Sequence, residues 1–205
     1  NKMKTENPYL EEGLYQKYHS RTGNELTVIS ESEKEYIASE PSVKVAYSPQ
    51  WYPVSYTDGS EIFDGAMKAV FRKIEENTGL KFSYVGYATN EEALAAFRNG
   101  EADVFAGFPY DFTWASENNA KITAPFLTLV IFNAYKAGTS GGSRMAVTEG
   151  GYRKYLTDEI LKSPYSFESY PSEKECLDAV LDGSADFSLV DSYEMEYYSK
   201  RFAYQ

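Results

Sequence analysis

The chain has 205 residues, of which 42% are hydrophobic and 25% charged, as in globular domains and unlike disordered or fibrous chains. Lys and Arg total 20 and Asp and Glu total 31, so the net charge of −11 excludes a surface that attracts nucleic acid. One histidine and one cysteine exclude a zinc site built on these residue types and an internal disulfide, and we expect no metal and no cofactor.

The first forty residues, 1–40, are predicted to form a separate helical segment or linker. Asn7-Pro8 is a favourable helix start, because proline fits the first turn of a helix. The spacing Ser30-x-x-Glu33 is that of a capping box, in which two side chains satisfy backbone amides at a helix N-terminus. It predicts a second, short helix that runs through Ile37.

An α/β unit is predicted to follow this segment. Residues 43–47 are apolar and β-prone and predict a strand. Apolar residues then recur at helical spacing and end near Gly79, which is typical of a left-handed helix cap. The face of this predicted helix consists of Phe63, Met67, Val70, Phe71 and Ile74.

An internal repeat is the most informative feature of the sequence. The pattern that begins at Phe82 returns at Tyr165 without a gap, and the same offset relates Gly100 to Gly183. Each copy predicts a strand, a capping box, a helix ended by glycine and a second strand. The predicted strands are 81–85 and 104–106 in one copy and 165–168 and 187–190 in the other, with capping boxes from Thr89 and Ser172. Such a unit forms a parallel sheet, so two copies predict two similar α/β lobes.

The remaining segments are assigned around this repeat. The predictions are a β-prone crossing between the lobes over residues 128–134, a first strand of the second lobe over 144–147 and its helix over 151–161. Residues 136–143 are rich in Gly and Ser and form either a flexible loop or an artificial splice. We expect lobe 1 to span residues 41–131 and lobe 2 to span residues 132–205.

The cleft between the two lobes is the predicted ligand site, because ligands of open α/β sheets bind beyond the carboxyl ends of the strands. The segments at these ends carry aromatic, hydroxyl and carboxylate side chains, which suit a small polar ligand. The predicted ligand-binding residues are Ser48, Trp51, Tyr52, Tyr56, Phe108, Tyr110, Asp111, Trp114, Thr148, Glu149, Gly150, Tyr152 and Asp191.

Several residues have two interpretations. Asp103 and Asp186 recur at equal positions of the repeat, either as turn residues or as a pair of catalytic acids. Cys176 aligns with Ala93 on the apolar helix stripe, which predicts a buried core thiol. Trp51 and the tyrosines near it either form a stacking platform for a ligand or pack the edge of the lobe.

Five motifs occur in an informative order. They are residues 43–53, NEEALAAFRNGEADVFAG, ITAPF, VTEGGY and SEKECLDAVLDGSADFSLVDSY. As a set they resemble the type II periplasmic binding proteins, in particular the family-3 solute-binding domains, over about residues 43–200. The resemblance implies an α/β, two-lobed clamshell in which each lobe is a βαβ-based sheet flanked by helices. The sensor branch is the most similar one, with extracytoplasmic modules attached, sometimes in tandem, to bacterial histidine kinases and diguanylate cyclases.

Two departures from the pattern of this family change the expected ligand and fold. Members that bind amino acids carry an arginine for the ligand carboxylate before the PF motif, whereas residues 111–116 contain none, which argues against a standard α-amino-acid ligand. Asp191 matches the acidic group of the family for a ligand ammonium, so an amine, an amino-acid-like molecule or a neutral polar molecule is expected. The closing elements of the family are missing after lobe 2, which is expected to be truncated or completed by other residues, such as 1–40.

The resemblance implies a non-enzymatic, extracytoplasmic sensor domain that binds a small molecule between its lobes and signals by closure. No run of 18 apolar residues occurs, so a membrane is expected to be reached only through segments absent from this chain. The alternatives are a transport-type binding protein, a dehydratase-type enzyme, and an interaction module whose cleft its own side chains fill. The enzyme needs an acid or base facing a bound carboxylate, and the predicted cleft contains no arginine or histidine. A homodimer stays an open alternative.

Overall fold

The computed structural model describes residues 29–39, 41–57, 62–107, 111–148, 152–157, 162 and 164–202. The helix start predicted at Asn7-Pro8 lies outside these residues. Helix α1 (Glu31–Ala38) begins as predicted, since the Ser30 hydroxyl accepts a hydrogen bond from the Glu33 amide and the Glu33 carboxylate accepts one from the Ser30 amide. Of the helices in these ranges, none combines the length and the hydrophobicity needed to cross a membrane.

Ten strands and seven α-helices lie in the described ranges. The strands are β1 (Ser42–Tyr47), β2 (Gln50–Trp51), β3 (Ser55–Thr57), β4 (Phe63–Asp64), β5 (Lys81–Gly86), β6 (Val104–Phe105), β7 (Ile131–Tyr135), β8 (Arg144–Thr148), β9 (Ser166–Tyr170) and β10 (Phe187–Asp191). The helices after α1 are α2 (Ala66–Thr78), α3 (Asn90–Arg98), α4 (Phe112–Glu117), α5 (Tyr152–Tyr155), α6 (Glu173–Asp182) and α7 (Ser192–Phe202).

The first sheet has the parallel strand order β5-β1-β6. Helix α2 packs against its central strand, where Met67 and Phe71 join the buried cluster around Val45. Full burial of a side chain of this size stabilises the fold by about 1.5–3 kcal/mol. The helix ends at Gly79 in the predicted left-handed conformation, with φ of 79°.

The prediction that Phe63 belongs to α2 is wrong. Phe63 lies in β4, at one edge of a small antiparallel sheet of order β2-β3-β4 that follows β1. Gly65, with φ of 107°, separates this strand from α2 and turns the chain into the helix. The helical spacing between Phe63 and Met67 therefore reflects burial in one shared core and not one continuous helix.

The second sheet has the strand order β7-β10-β8-β9. Strands β8, β9 and β10 are parallel, as predicted, whereas β7 pairs with β10 in the antiparallel direction. The chain reaches β7 from residues 118–130, which contain no regular helix or strand. The β-prone crossing predicted over residues 128–134 therefore ends as an added strand of this sheet.

The two sheets repeat one arrangement. In each, the strand that opens the unit, β1 or β8, lies between the two strands of the βαβ unit, giving β5-β1-β6 and β9-β8-β10. Ala93 and Cys176 hold equivalent positions on α3 and α6, and both are fully buried. Burial raises the pKa of the Cys176 thiol, so this residue is the predicted core thiol.

Asp103 and Asp186 fasten the beginning of the central strand in each sheet. The Asp103 carboxylate accepts a hydrogen bond from the Lys44 amide at 2.8 Å, and its own amide donates to the Lys44 carbonyl at 2.9 Å. Asp186 makes the same pair of bonds with Arg144, each at 2.9 Å. Both aspartates hold the ends of the sheets opposite to the carboxyl ends of the strands, so the turn interpretation replaces that of a catalytic pair.

Candidate functional site

The cleft is built where the carboxyl ends of the parallel strands meet. Thr148 ends β8 and Asp191 ends β10, while Ser48 and Gly107 directly follow β1 and β6. Parallel strands present their carboxyl ends at one edge of a sheet, so these four positions lie at the two edges that border the cleft.

Asp191 begins helix α7 and is completely buried. Its Oδ1 accepts hydrogen bonds from the amides of Tyr193 at 2.8 Å and Glu194 at 3.0 Å. In return, the Glu194 carboxylate accepts a bond from the Asp191 amide at 3.0 Å. This reciprocal pair is a capping box with aspartate at its first position, and it fixes the second carboxylate oxygen of Asp191 toward the cleft.

Trp51 connects the two halves of the molecule through this second oxygen. Its indole Nε1 donates to Asp191 Oδ2 at 2.7 Å, across 140 residues of sequence. The indole lies in β2, beside the first sheet, and the carboxylate lies at the end of the second sheet. A hydrogen bond to a buried carboxylate contributes about 1.5–3 kcal/mol, so this contact favours the arrangement in which the lobes are together.

Three carboxylates, Glu173, Asp191 and Glu194, surround one cation and are termed the acidic cluster. The guanidinium of Arg153, on α5, pairs with Glu173 through Nη1 and with Glu194 through Nη2, and its Nη2 lies 3.4 Å from Asp191 Oδ2. The Thr148 hydroxyl donates to Glu173 Oε1 at 3.0 Å. All four charged residues are at least nine-tenths buried, so the ion pairs are shielded from water.

The acidic cluster contains more negative than positive charge. Burial lowers the pKa of Arg153, but the carboxylates of Glu173, Glu194 and Asp191 outweigh burial and raise this pKa, so the guanidinium stays charged. Burial raises the pKa of Glu194 well above its ordinary value of 4.5, and Arg153 offsets only part of this. One oxygen of Glu194, Oε1, has no hydrogen-bond partner within the described residues.

A cavity of about 30 Å³ lies between the two sheets. About 10–15 Å³ of such volume holds one water molecule, so two waters fit and an amino acid does not in this arrangement. The cavity is lined by both halves: Gln50, Trp51, Asn90 and Gly107 from the first and Thr148, Arg153 and Glu173 from the second. A ligand in this cavity therefore contacts both halves of the molecule.

Three tyrosines form an aromatic stack between the two halves. The ring of Tyr52 lies 4.5 Å from that of Tyr56 and 5.2 Å from that of Tyr197, both nearly parallel to it. Tyr197 belongs to α7, so the second half covers the aromatic platform predicted on the first. The Tyr56 hydroxyl also donates to Asp64 Oδ2 at 3.3 Å.

The other predicted site residues have different surroundings. Ser48 is buried, and its hydroxyl has no hydrogen-bond partner in the part of the chain that the structure describes. Asp111 begins α4 and accepts a bond from the amide of Trp114, whose buried ring lies 6.3 Å from that of Phe105. Phe108, Tyr110, Glu149 and Gly150 lie outside the described residues, as does the side chain of Tyr152.

The structure adds residues that sequence reasoning missed, and one premise was wrong: the cleft does contain an arginine, Arg153. The spacing Asp191-x-x-Glu194 at the end of a predicted strand is a capping-box signal and was sufficient to find Glu194. Arg153 and Glu173 have no such signal, because each is one charged residue near a helix start. Within the described residues, no group of His, Cys, Asp and Glu side chains has the geometry of a metal site.

Comparisons with known proteins identify relatives of this chain. No protein-family model matches the chain. It is 26% identical over 184 residues to the virulence sensor protein BvgS of Bordetella bronchiseptica and 30% identical over 105 residues to the sensor protein EvgS of Escherichia coli. These matches cover 84% and 51% of this chain but only 14% and 9% of the relatives, so the chain spans a small part of their length.

Three solved structures are similar over most of the chain. The periplasmic VFT2 domain of BvgS from Bordetella pertussis matches with a TM-score of 0.70 and 22% identity, over 85% of this chain and 77% of that one. An ancestral amino acid-binding protein, a precursor of cyclohexadienyl dehydratase, matches with a TM-score of 0.67 and 18% identity, over 82% and 78%. An ancestral arginine-binding protein bound to arginine matches with a TM-score of 0.67 and 14% identity, over 80% and 75%.

The chain has the type II periplasmic binding protein fold. The predicted two-lobed α/β architecture is thereby confirmed. The predicted resemblance to sensor-type members of the type II periplasmic binding proteins is confirmed by homology to BvgS, and the solved BvgS domain is periplasmic, as expected for an extracytoplasmic module. The set of ligand-binding residues stays a prediction.

Proposed function

We propose that this chain is an extracytoplasmic sensor domain of a bacterial membrane receptor, which binds a small polar molecule between its lobes. The observation that carries the proposal is the cavity, whose lining residues come from both halves of the molecule. A ligand that contacts both sides interacts differently with the open and the closed arrangement, so binding shifts the equilibrium between them. This shift is the proposed signal, with the lobes taken as residues 41–131 and 132–205.

Homology supports the receptor part of the proposal. The curated relatives are sensor proteins, and a solved relative is a periplasmic domain. We propose an output domain of the histidine kinase type, or a diguanylate cyclase, reached through a membrane segment outside this chain. A polar ligand is supported by the structural neighbours that are named as amino acid-binding and arginine-binding proteins.

The described cleft supports the alternatives less well. A dehydratase-type enzyme needs a cation free to bind a substrate carboxylate, whereas the cation of this cleft, Arg153, pairs with the acidic cluster. A protein-interaction module whose cleft is filled by its own side chains is consistent with the small cavity, but it gives no reason for a lining of amide and hydroxyl groups from both halves. A transport-type binding protein shares the same site and differs only in what the closed form contacts.

A calorimetric screen tests the proposal. The purified chain is melted with small amides, polyols, amines, carboxylates and nucleosides, each over a range of concentrations. A compound at about 100 times its dissociation constant stabilises the folded state by about 2.7 kcal/mol, which raises the melting temperature of a chain of this size by about 5–10 °C. We expect at least one saturable rise.

Two variants of α3 show whether a rise comes from the cleft. Asn90→Ala removes the side-chain amide of a residue that lines the cavity, whereas Asn99→Ala removes one at the other, exposed end of the same helix. We expect Asn90→Ala alone to weaken the response, by about tenfold or more in affinity, as loss of one well-placed hydrogen bond does. A cooperative melt that no compound shifts contradicts a small-molecule function and favours the interaction module.

A further inference from the structure

The acidic cluster holds the side chain of Arg153 in the manner of a bound cation. The guanidinium contacts all three carboxylates, and its two terminal nitrogens divide between Glu173 on one side and Glu194 and Asp191 on the other. Asp191 and Glu194 are fully buried, and Arg153 is 5% exposed. The planar fork of a guanidinium matches carboxylates in this two-sided geometry better than an ammonium does.

We propose that Arg153 acts as a built-in ligand of the acidic cluster, which excludes free cationic amino acids from the cleft and leaves a site for a small neutral molecule. The choice of ligand class rests on the proposed small-molecule function, whereas occupation of the acidic cluster by Arg153 does not.

Exclusion of free cations follows from the covalent attachment of Arg153. A group on the same chain has an effective concentration of about the millimolar range or higher, so a free ligand of equal intrinsic affinity competes poorly below that level. Trp51 adds to this, because its indole occupies the oxygen of Asp191 that faces the other lobe.

The charge of the site argues for a neutral ligand. One guanidinium faces three carboxylates, so the cluster does not attract an anion, and its cation position is filled. Besides Trp51 and Gly107, the remaining residues of the cavity wall have uncharged side chains that form hydrogen bonds: Gln50, Asn90 and Thr148. Small amides and polyols match these side chains in hydrogen bonding.

The first experiment removes the built-in ligand. Arg153→Ala leaves the acidic cluster without its cation, and we expect a melting temperature about 10 °C below that of the unchanged chain. About 20 mM ethylguanidinium chloride should restore at least about 3 °C of this loss in a saturable manner, and ethylammonium chloride at the same concentration should restore less. Ethylguanidinium carries the head group of the missing side chain and so fills the space that the substitution creates.

The matched control is Arg144→Ala. Arg144 also pairs with a carboxylate, that of Asp186 at 2.7 Å, but its side chain is 43% exposed. Its removal leaves no enclosed acidic space, so ethylguanidinium should not raise the melting temperature of this variant more than that of the unchanged chain. Equal responses of the two variants would overturn the proposal.

Two further measurements cover the remaining outcomes. If Arg153→Ala does not fold, it is refolded in each salt, and a cooperative melt recovered only in ethylguanidinium supports the proposal, whereas no recovery in either salt overturns it. For the unchanged chain, we expect saturable binding of a neutral compound and none of arginine or lysine. Saturable binding of arginine would overturn this inference and support the proposed function. Rescue of Arg153→Ala by ethylguanidinium, combined with a screen in which no compound binds the unchanged chain, would support occupation of the acidic cluster by Arg153 and contradict the proposed function.

Discussion

Glu194 is a carboxyl group that the fold buries completely beside two other carboxylates. Arg153 is the cation that the described structure places against it, and Glu173 and Asp191 share that cation. Tyr198 is also close enough for the negative charge of Glu194 to raise its pKa, after the larger effect of burial. The pKa of Glu194 is raised well above 4.5 because burial disfavours the charged form.

This raised pKa predicts how stability varies with pH. Above pH 4.5 the unfolded chain releases the proton of Glu194 while the folded chain retains it, so the free energy of unfolding falls as the pH rises toward the raised pKa. Glu194→Gln keeps a neutral side chain at every pH and lacks this fall. We expect the melting temperature of Glu194→Gln to rise relative to that of the unchanged chain as the pH is raised above 4.5.

Glu196 on the same helix provides the control for this prediction. It is exposed, and its pKa is lowered by its hydrogen bond to Lys200. Its contribution to stability is therefore present above pH 4.5 and lost as the pH falls below it, so Glu196→Gln should show no relative rise in the same range. A pH profile of Glu194→Gln parallel to that of the unchanged chain would show that Glu194 is ionised in the folded state.

Single residues of the candidate site were predictable to different degrees. Asp191 and Thr148 end buried strands, and this position alone marks them as cleft residues. Arg153 was not predictable, because one arginine within a charged helix gives no sign in the sequence of facing inward. Only the fold shows that α5 turns it toward the acidic cluster.

At the scale of elements, the beginning of α2 depends on a backbone contact. Gly65 precedes the helix and forms no side-chain cap, and the amides of Ala66 and Met67 donate instead to the carbonyls of Pro53 and Val54 at 3.3 and 3.0 Å. These bonds satisfy two of the amides that every helix leaves open at its N-terminus. They also attach the small antiparallel sheet to the helix.

This contact leaves no room for a side chain at position 65. A Cβ atom on Gly65 would lie 2.5 Å from the Val54 carbonyl oxygen, in a backbone region that only glycine occupies readily. We expect Gly65→Ala to lower the free energy of unfolding by more than about 2 kcal/mol, measured by urea denaturation. Gly100→Ala is the control, since Gly100 also has positive φ but no atom within 4 Å of its Cβ position, and it should cost about 1 kcal/mol.

A loss of stability for Gly65→Ala no larger than that for Gly100→Ala would show that residues 53–54 move away without cost.

The element boundaries themselves followed well from local signals. The capping boxes at Ser30 and Thr89 and the glycine caps lie where the sequence predicted them. The antiparallel direction of β7 was not predictable, because alternation of side chains does not specify which neighbour a strand pairs with.

At the scale of the whole molecule, two of the contacts that join the lobes in the described part of the chain end in α7 or at its cap. These are the hydrogen bond from Trp51 to Asp191 and the stack of Tyr52 on Tyr197. Sequence patterns report which face of an element is buried but not which element of the other lobe it meets. The two-lobed architecture was therefore predictable from the repeat, whereas the contacts between the lobes were not.

Loss of the indole donor should open the molecule. Trp51→Phe keeps an aromatic ring but leaves Asp191 Oδ2 without its partner from the other lobe, at a cost of about 1–3 kcal/mol to the closed form, or roughly tenfold to a hundredfold in population. We expect a larger radius of gyration in small-angle X-ray scattering. Trp114→Phe, a substitution buried within one lobe, should leave the radius unchanged. Identical scattering of the two variants would mean that other contacts hold the lobes together.

The position of Trp51 has an optical consequence. Trp51 and Trp114 are the two tryptophans of the chain, and the indole N–H of Trp51 is bonded to a carboxylate of the opposite lobe. When the lobes part, this N–H exchanges the carboxylate for water, while the buried ring of Trp114 keeps its surroundings. The intrinsic fluorescence of the unlabelled protein therefore has one component that responds to opening and one that serves as an internal reference.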